Sequence, residues 1–332
     1  MSRKNESFGE KFKRRLKQPL SKQKVVGYVR TKLGLVKPEE LPLPTLAAPE
    51  SDYPELYHDW IKARVRLRAP EYPAKPDPAL FSIITPVFDT PATFLKEMGE
   101  SIFAQDFLFQ WVICDNGSSH ADTLNVLKQF AKDSRVTLVR LDQNEGIMGG
   151  TRAAFDAATG RYVLPVDSDD TLYPDALRVM ASCLERAGWP ALAYSDEDKM
   201  HEQSVPCWPF FKPSWDPALF LNCCYIAHLC ALDRKIANAL GAYTDGKARG
   251  CHDWDTFTRL IQSGYEPVHV PEVLYSWRIH AGSSSSFADR AKMYTIECQQ
   301  YVLANFLAKT TRPGPVSYTH LRAHETKANL VC

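Results

Sequence analysis

Between Leu80 and Ala281 the chain switches repeatedly between short apolar runs and segments of helical spacing, and this alternation restricts the fold more than any single motif. The runs are FSIITPVF, WVICD, VTLVRL, YVLPVD and ALAYSD. Between them Phe94, Leu95, Met98 and Ile102 recur at helical intervals, as do Leu124, Leu127 and Phe130, then Ala153 and Ala157, then Leu177, Met180 and Leu184. The pattern predicts an α/β domain whose mainly parallel sheet is flanked by helices on both faces. In open sheets of that kind ligands bind beyond the carboxyl ends of the strands, so chemistry is expected there.

The flanks are of different character. Up to Lys37 the chain carries twelve Lys/Arg and two Glu, net +10, against +1 for all 332 residues, which leaves −9 for the remainder. Residues 1–37 form a basic segment with Phe12, Leu16, Val25, Val29 and Leu33 as apolar positions; it reads either as a helical arm for an anionic lipid surface or as a solvated basic tail, since Pro19 and Gly27 interrupt the pattern. Residues 38–79 read as a Pro-rich linker with a docking helix around Tyr57 to Val65, giving the domain a helical N-terminal extension to which no chemistry is assigned. A C-terminal helix is expected within 287–314. Residues 315–332 are expected to be non-native: PVSYTHLRAHET can be back-translated into a sequence that resembles a transposase sequencing adapter, so His320 and His324 are set aside as ligands.

No apolar run approaches the ~20 residues a membrane-spanning helix needs, and the N-terminus lacks the apolar core of a signal peptide, so the expected location is cytoplasmic, with peripheral contact at the inner face of the cell membrane. Nine scattered cysteines without a CxxC pair read as buried free thiols rather than as disulfides or a zinc site. The near-neutral overall charge gives no basic field for nucleic acid.

Polar residues gather where the predicted strands end. Thr85, Pro86 and Asp89 close the first run, Asp115-Asn116-Gly117-Ser118 the second, and Asp167-Ser168-Asp169-Asp170 the fourth. Three carboxylates after an apolar strand repel one another unless a hard cation or hydrogen-bond donors neutralise them, which points to Mg²⁺ or Mn²⁺. Strand alternation sets Asp167 and Asp169 on one side, one for a ribose hydroxyl and the other for the metal. The structural alternative is a helix N-cap by Asp170 or Thr171, which accounts for one acid of the three. Asp115 also fits a plain Asx turn. Asn144-Glu145-Gly146-Ile147 precedes a small-residue helix that permits either close approach of a ligand or tight helix packing. Neither GxGxxG after the first strand nor GxxxxGK[ST] occurs, which argues against a dinucleotide-binding dehydrogenase and a P-loop NTPase.

From Leu80 to Ser286 the chain resembles the inverting family 2 glycosyltransferases of the bacterial cell-envelope polysaccharide branch, with the GT-A fold. SIITPVFDTP, WVICDNGS, NEGI, YVLPVDSDD, ALAYSDEDK, FKPSWDP, HDWDTFTRL and VLYSWRIHAGS follow in the family's order. The resemblance implies donor contacts at Thr85, Pro86, Asp89, Asp115, Gly146, Asp167 and Ser168. It implies metal ligation by Asp169 and His280, and a general base at Asp253, in preference to Asp255. Two departures stand out: Asp89 where the family has Asn, and His252 where it has an acidic or amide residue. Asp196, Glu197 and Asp198 are expected near the donor sugar or acceptor, Trp254 as a stacking face beside the base, and His228 as a core histidine. The implied reaction is metal-dependent sugar transfer from a UDP- or dTDP-linked donor to a hydroxyl of a cell-envelope glycan, free or lipid-linked. A sugar-nucleotide nucleotidyltransferase is the rival in the same fold neighbourhood, but TPVFDTP lacks a Gly-rich, basic triphosphate loop. An inactive glycan-binding scaffold is the second rival, against which Asp169, Asp253 and His280 speak.

Overall fold

The structure, a computed structural model, describes residues 53–201, 204–280 and 293–309; the basic N-terminal segment and the adapter-like tail lie outside them. Helix α1 (Tyr53–Glu71) leads into β1 (Phe81–Val87), α2 (Ala92–Phe103), β2 (Gln110–Asn116), α3 (Ala121–Phe130), β3 (Val136–Leu141), α4 (Gly146–Ala157) and β4 (Tyr162–Pro165). There follow β5 (Thr171–Leu172), α5 (Ala176–Arg186), β6 (Leu192–Met200), β7 (Pro206–Phe210), α6 (Pro217–Phe220), β8 (Cys230–Asp233), α7 (Arg234–Ala239), α8 (His252–Gln262), β9 (Val268–Arg278) and α9 (Met293–Lys309).

All nine strands join one sheet in the order β3-β2-β1-β4-β8-β6-β9-β5, with β7 paired to β6. The half that runs β3-β2-β1-β4 is wholly parallel. Beyond it β8 runs antiparallel to both β4 and β6, while β6 and β9 are parallel to each other. The carboxyl ends of β1, β2 and β4 therefore lie along one rim, and β6, aligned with β4, extends past it.

Both faces of the sheet are covered, which is why its inner strands read as unbroken apolar runs. Successive residues alternate between two cores. Ile83, Trp111, Ile113 and Leu164 pack with Leu95 and Met98 of α2, Leu127 of α3 and Leu177 of α5. Ile84, Val112, Cys114 and Val163 pack on the other side with Phe155 of α4, Phe257 of α8 and Val302 of α9. Gly99 lets α2 meet α3 closely: a Cβ there would lie 2.2 Å from the Phe130 ring. The cysteines among the described residues are free, and most are buried.

Helix α1 is longer than the sequence pattern predicts, and polar groups hold it. Arg68, fully buried, donates to both carboxylate oxygens of Asp175 at 3.0 and 2.8 Å and to the Val273 carbonyl at 2.8 Å. Tyr72 donates to Glu272 at 2.9 Å. The hydroxyls of Tyr57 and Tyr173 both donate to Oδ2 of Asp198, at 2.7 and 2.5 Å. These partners stand a hundred or more residues from α1, so no local periodicity announces them.

Burial pushes Asp198 up to about 6, against the pull of the tyrosine donors. An unfolded aspartate titrates near 3.8, so the folded chain holds this proton more tightly; stability falls as pH rises from about 4 to about 6 and levels off above. Asp198→Asn keeps an acceptor for the tyrosines without the charge. Denaturant titrations at pH 4 to 7 should show the variant gaining roughly 3 kcal/mol on the parental chain across that interval; a difference independent of pH would refute the assignment.

Candidate active site

At the β1–β2 end of the rim the predicted donor residues are set by short-range turns. Thr85 is fully buried and its hydroxyl accepts the Trp111 indole N–H at 3.1 Å, so it faces the core and not the crevice. Pro86 packs against α4, where a Cβ on Gly150 would come within 3.1 Å of it. Asp89 adopts φ +48° and accepts from the backbone N–H of Ser119 and His120, both at 2.8 Å, which fastens the start of α3. Burial opposes its ionisation, but these donors and the Ser119 hydroxyl prevail and hold it below the usual carboxylate range. Asp115 closes an Asx turn onto the Ser118 N–H at 2.9 Å and pairs its other oxygen with Arg140, a residue the sequence did not flag. Asn116 anchors the next turn by accepting from Glu145 N–H and donating to the Gly146 carbonyl, both at 2.9 Å. Gly146 sits at φ +75° with open space where its Cβ would be, whereas Gly150 packs closely on Asn116 and Pro86, so tight packing accounts for the second glycine.

The acidic motif bridges β4 and β5, and its three carboxylates have separate partners. Asp167 lies among Asp169, Asp253, His228 and His252; the dense surroundings at the strand end, although part of its surface is open, push it above its ordinary value, with Asp169 and Asp253 adding to the rise. Ser168 bonds Thr90 through their hydroxyls at 2.6 Å. Asp169 Oδ2 stands 2.7 Å from His280 Nε2, and both side chains are partly accessible, at 24% and 13%. Asp170 does not cap a helix. It is fully buried, accepts from the Tyr275 hydroxyl at 2.6 Å and from the Arg278 N–H at 2.7 Å, and is pushed well up by burial and by Asp169 and Asp167. Arg278 also donates through Nε to the Asp169 carbonyl at 2.7 Å and through Nη2 to Glu97 at 2.6 Å. Neither Tyr275 nor Arg278 was singled out by the sequence.

Among the described residues no cluster of three or more His, Cys, Asp or Glu makes a self-sufficient metal cage. Asp169 and His280 offer one carboxylate and one imidazole donor, which would hold a divalent ion only with their mutual hydrogen bond released and with further ligands from water or phosphate oxygens.

Asp253 and Asp255 open α8 but face differently. Asp255 is 5% exposed and pairs with Arg259 Nε at 2.7 Å on its own helix. Asp253 faces the crevice side: its Oδ2 lies 3.6 Å from His252 Nε2, and its buried Oδ1 has no hydrogen-bond partner among the described residues. Trp254 is not a stacking face. It is 2% exposed and its ring meets Phe220 edge-on in the core, because the residue between two helix-start acids turns inward.

The acidic run on β6 is likewise corrected. Asp196, Glu197 and Asp198 are each at most 4% exposed and engaged in protein contacts. Asp196 accepts from Lys212 N–H at 2.8 Å and meets His269 at 2.7 Å, while Glu197 accepts from Lys212 Nζ at 3.1 Å and His228 N–H at 2.7 Å. Sugar hydroxyls would find these carboxylates occupied. His228 lies before β8, half-buried, its ring 5.0 Å from that of Tyr275 and close enough to Asp167 to influence it, so it is not enclosed in the core as its sequence setting suggests. Asp167, Asp169, Asp253 and His280 thus gather at one part of the rim, with Asp115 two strands along. Two open cavities of about 380 and 490 Å³ are lined by other residues.

Residues 82–237 match the profile of Glycosyl transferase family 2. The chain is 32% identical over 252 residues to the uncharacterized protein y4gI of Sinorhizobium fredii, covering 73% of this chain and 27% of that one. It is 29% identical over 246 residues to the O-antigen biosynthesis protein RfbC of Myxococcus xanthus, covering 72% and 19%. The chain therefore spans about a quarter or less of the length of these two relatives. In fold it is similar to S. aureus TarS 1–349 in complex with UDP-GlcNAc, with TM-score 0.53 and 18% identity over 69% of this chain and 72% of that one. Residues 82–237 thus form a domain of the family 2 glycosyltransferase type, with a GT-A type fold. Among the described residues no helix is long and apolar enough to cross a membrane.

Because Trp254 serves the core, Trp254→Phe should cost about 1–2 kcal/mol of stability in denaturant titration through lost packing, while the affinity for whichever nucleotide the parental chain proves to bind stays within twofold by calorimetry. A large loss of affinity in a stable variant would restore the stacking role.

Proposed function

We propose that this chain is an inverting glycosyltransferase that moves a sugar from a UDP- or dTDP-linked donor to a hydroxyl of a cell-envelope glycan, free or lipid-linked. The observation that carries the proposal is that Asp167 has within electrostatic reach both Asp169, bonded to His280, and Asp253, an acid at the start of α8 with one unpartnered oxygen. Supporting it are the family match of residues 82–237 and the position of these groups at the carboxyl end of a parallel half-sheet.

In this reading the turn that Asp115 fastens through Ser118 and Arg140, together with the Asn116–Gly146 turn, forms the seat of the nucleotide base, and Asp167 receives the ribose. Asp169 and His280 would hold a divalent ion, Mn²⁺ or Mg²⁺, which when bound neutralises charge on the diphosphate as it leaves. Asp253 accepts the proton of the attacking acceptor hydroxyl, as a carboxylate within hydrogen-bond reach can. Attack from the side opposite the departing diphosphate inverts the anomeric centre. The basic segment up to Lys37, net +10, would favour an anionic inner membrane surface where lipid-linked acceptors lie.

A thermal-shift panel of UDP-, dTDP- and GDP-sugars with Mn²⁺ tests the donor class, since a specific donor stabilises the fold by mass action. Asp253→Asn should abolish transfer and leave donor affinity nearly intact, whereas Asp169→Asn should weaken metal-dependent donor binding by about tenfold or more, on the scale of losing one charged ligand. Transfer at the parental rate by Asp253→Asn would remove the base assignment, and the absence of UDP or dTDP release with every sugar nucleotide would favour a binding scaffold.

A further inference from the structure

Three buried polar atoms at the start of α8 or facing it have no hydrogen-bond partner among the described residues: Asp253 Oδ1, Trp254 Nε1 and the hydroxyl of Tyr243. Such atoms are rare in folded proteins, because each forgoes its bonds to water without replacement. Tyr243 is the least expected of the three. It is 1% exposed and its backbone sits at φ +59°, a left-handed conformation that is costly for a bulky side chain. The surrounding structure holds it there. Its N–H donates to the Thr256 hydroxyl on α8 at 3.3 Å, and its ring lies between Phe155 of α4 and His252 of α8, each with centroids 5.8 Å away.

The phenol is aimed at the proposed base. Burial, and after it the charge of Asp253, push its titration well above the ordinary tyrosine value, so it keeps its proton and can act as a donor. The titratable groups that face Asp253 are His252 on its own helix, Asp167 at the end of β4, Cys230 on β8 and Tyr243. Asp167 as a carboxylate cannot donate, a buried thiol donates weakly, and His252 stands on the Oδ2 side. Trp254, the other unpartnered donor, packs its ring against Phe220 in the core, whereas the Tyr243 hydroxyl is within hydrogen-bonding influence of Asp253, which leaves Tyr243 as the donor for Oδ1. The last torsion of an aspartate is broad, so a small rotation of the carboxylate brings the two orphaned atoms together.

We propose that Tyr243 is the positioning residue of the base: its hydroxyl holds Asp253 through Oδ1 and leaves the other oxygen to take the proton of the acceptor hydroxyl. The tyrosine keeps its own proton throughout; the acceptor oxygen gains the bond to the anomeric carbon, and the diphosphate leaves with the electron pair of the bond it breaks. This inference rests on the reading of Asp253 as base.

The test is Tyr243→Phe, which removes one oxygen and retains the ring. The variant should melt within a few degrees of the parental temperature, because the loss of one hydrogen bond is offset by the relief of burying a hydroxyl. UDP affinity and donor KM should stay within twofold while kcat falls by about tenfold or more, the signature of a misaligned catalytic group. A kcat within twofold of the parental value overturns the proposal, as does a fall in kcat matched by loss of UDP affinity, which marks a merely structural role. Asp253→Asn in the same assay separates the two claims. An inactive Asp253→Asn beside a fully active Tyr243→Phe sinks only the positioning role, whereas an active Asp253→Asn sinks the base on which it rests.

Discussion

The rim that carries the acidic motif hangs on one buried carboxylate. Asp170 takes the Tyr275 hydroxyl and the Arg278 N–H, and the Arg278 side chain reaches back to the Asp169 carbonyl. These bonds tie the loop after β4 to the last strand of the sheet, more than a hundred residues later. They also set His280, two residues past Arg278, against Asp169. Without that tie the acidic loop would carry like charges with nothing to order them, since a cation binds at full strength only where its ligands are already in place.

The rim is therefore a place where electrostatic cost is tolerated. Asp167 and Asp170 are both pushed upward by burial and by each other's neighbourhood, and an oxygen of Asp253 is buried unpaired. Groups of this kind are expensive in a folded chain and concentrate where a ligand completes them. Away from the rim the same acidic residue type has the opposite fate: Asp196, Glu197 and Asp255 are matched to Lys212, His269 and Arg259 and serve the scaffold. Unpaired or strained surroundings, more than acidity itself, separate the site from the framework.

Helix α1 extends this framework. Its contacts to β9, α5 and β6 run through the buried polar groups of Arg68, Tyr72 and Tyr57, beside a small apolar contact of Ile61 with Val273, so specific geometry fastens it more than a broad apolar stripe. Breaking one partner of such a pair leaves a buried charge uncompensated, which makes the helix part of the domain's integrity rather than an appendage.

What the sequence determined by itself follows from local physics. Apolar runs must be buried on both sides, helical spacing must cover them, and strand ends must collect the polar residues, so the α/β class, the parallel half-sheet and the placing of Asp115, Asp167 and Asp169 at one rim were legible before any coordinates. The family resemblance implied Asp253 in preference to Asp255, and Asp255 is paired with Arg259. The tertiary structure decided which side chains are free to meet a ligand. Thr85, Trp254 and the Asp196–Asp198 run look functional along the chain, yet face inward or are already bonded. Tyr243, His228, Arg140 and Arg278 look unremarkable along the chain, yet stand at the rim. Burial and pairing depend on partners far away in sequence, and a one-dimensional pattern carries no record of which of two equivalent carboxylates finds its partner.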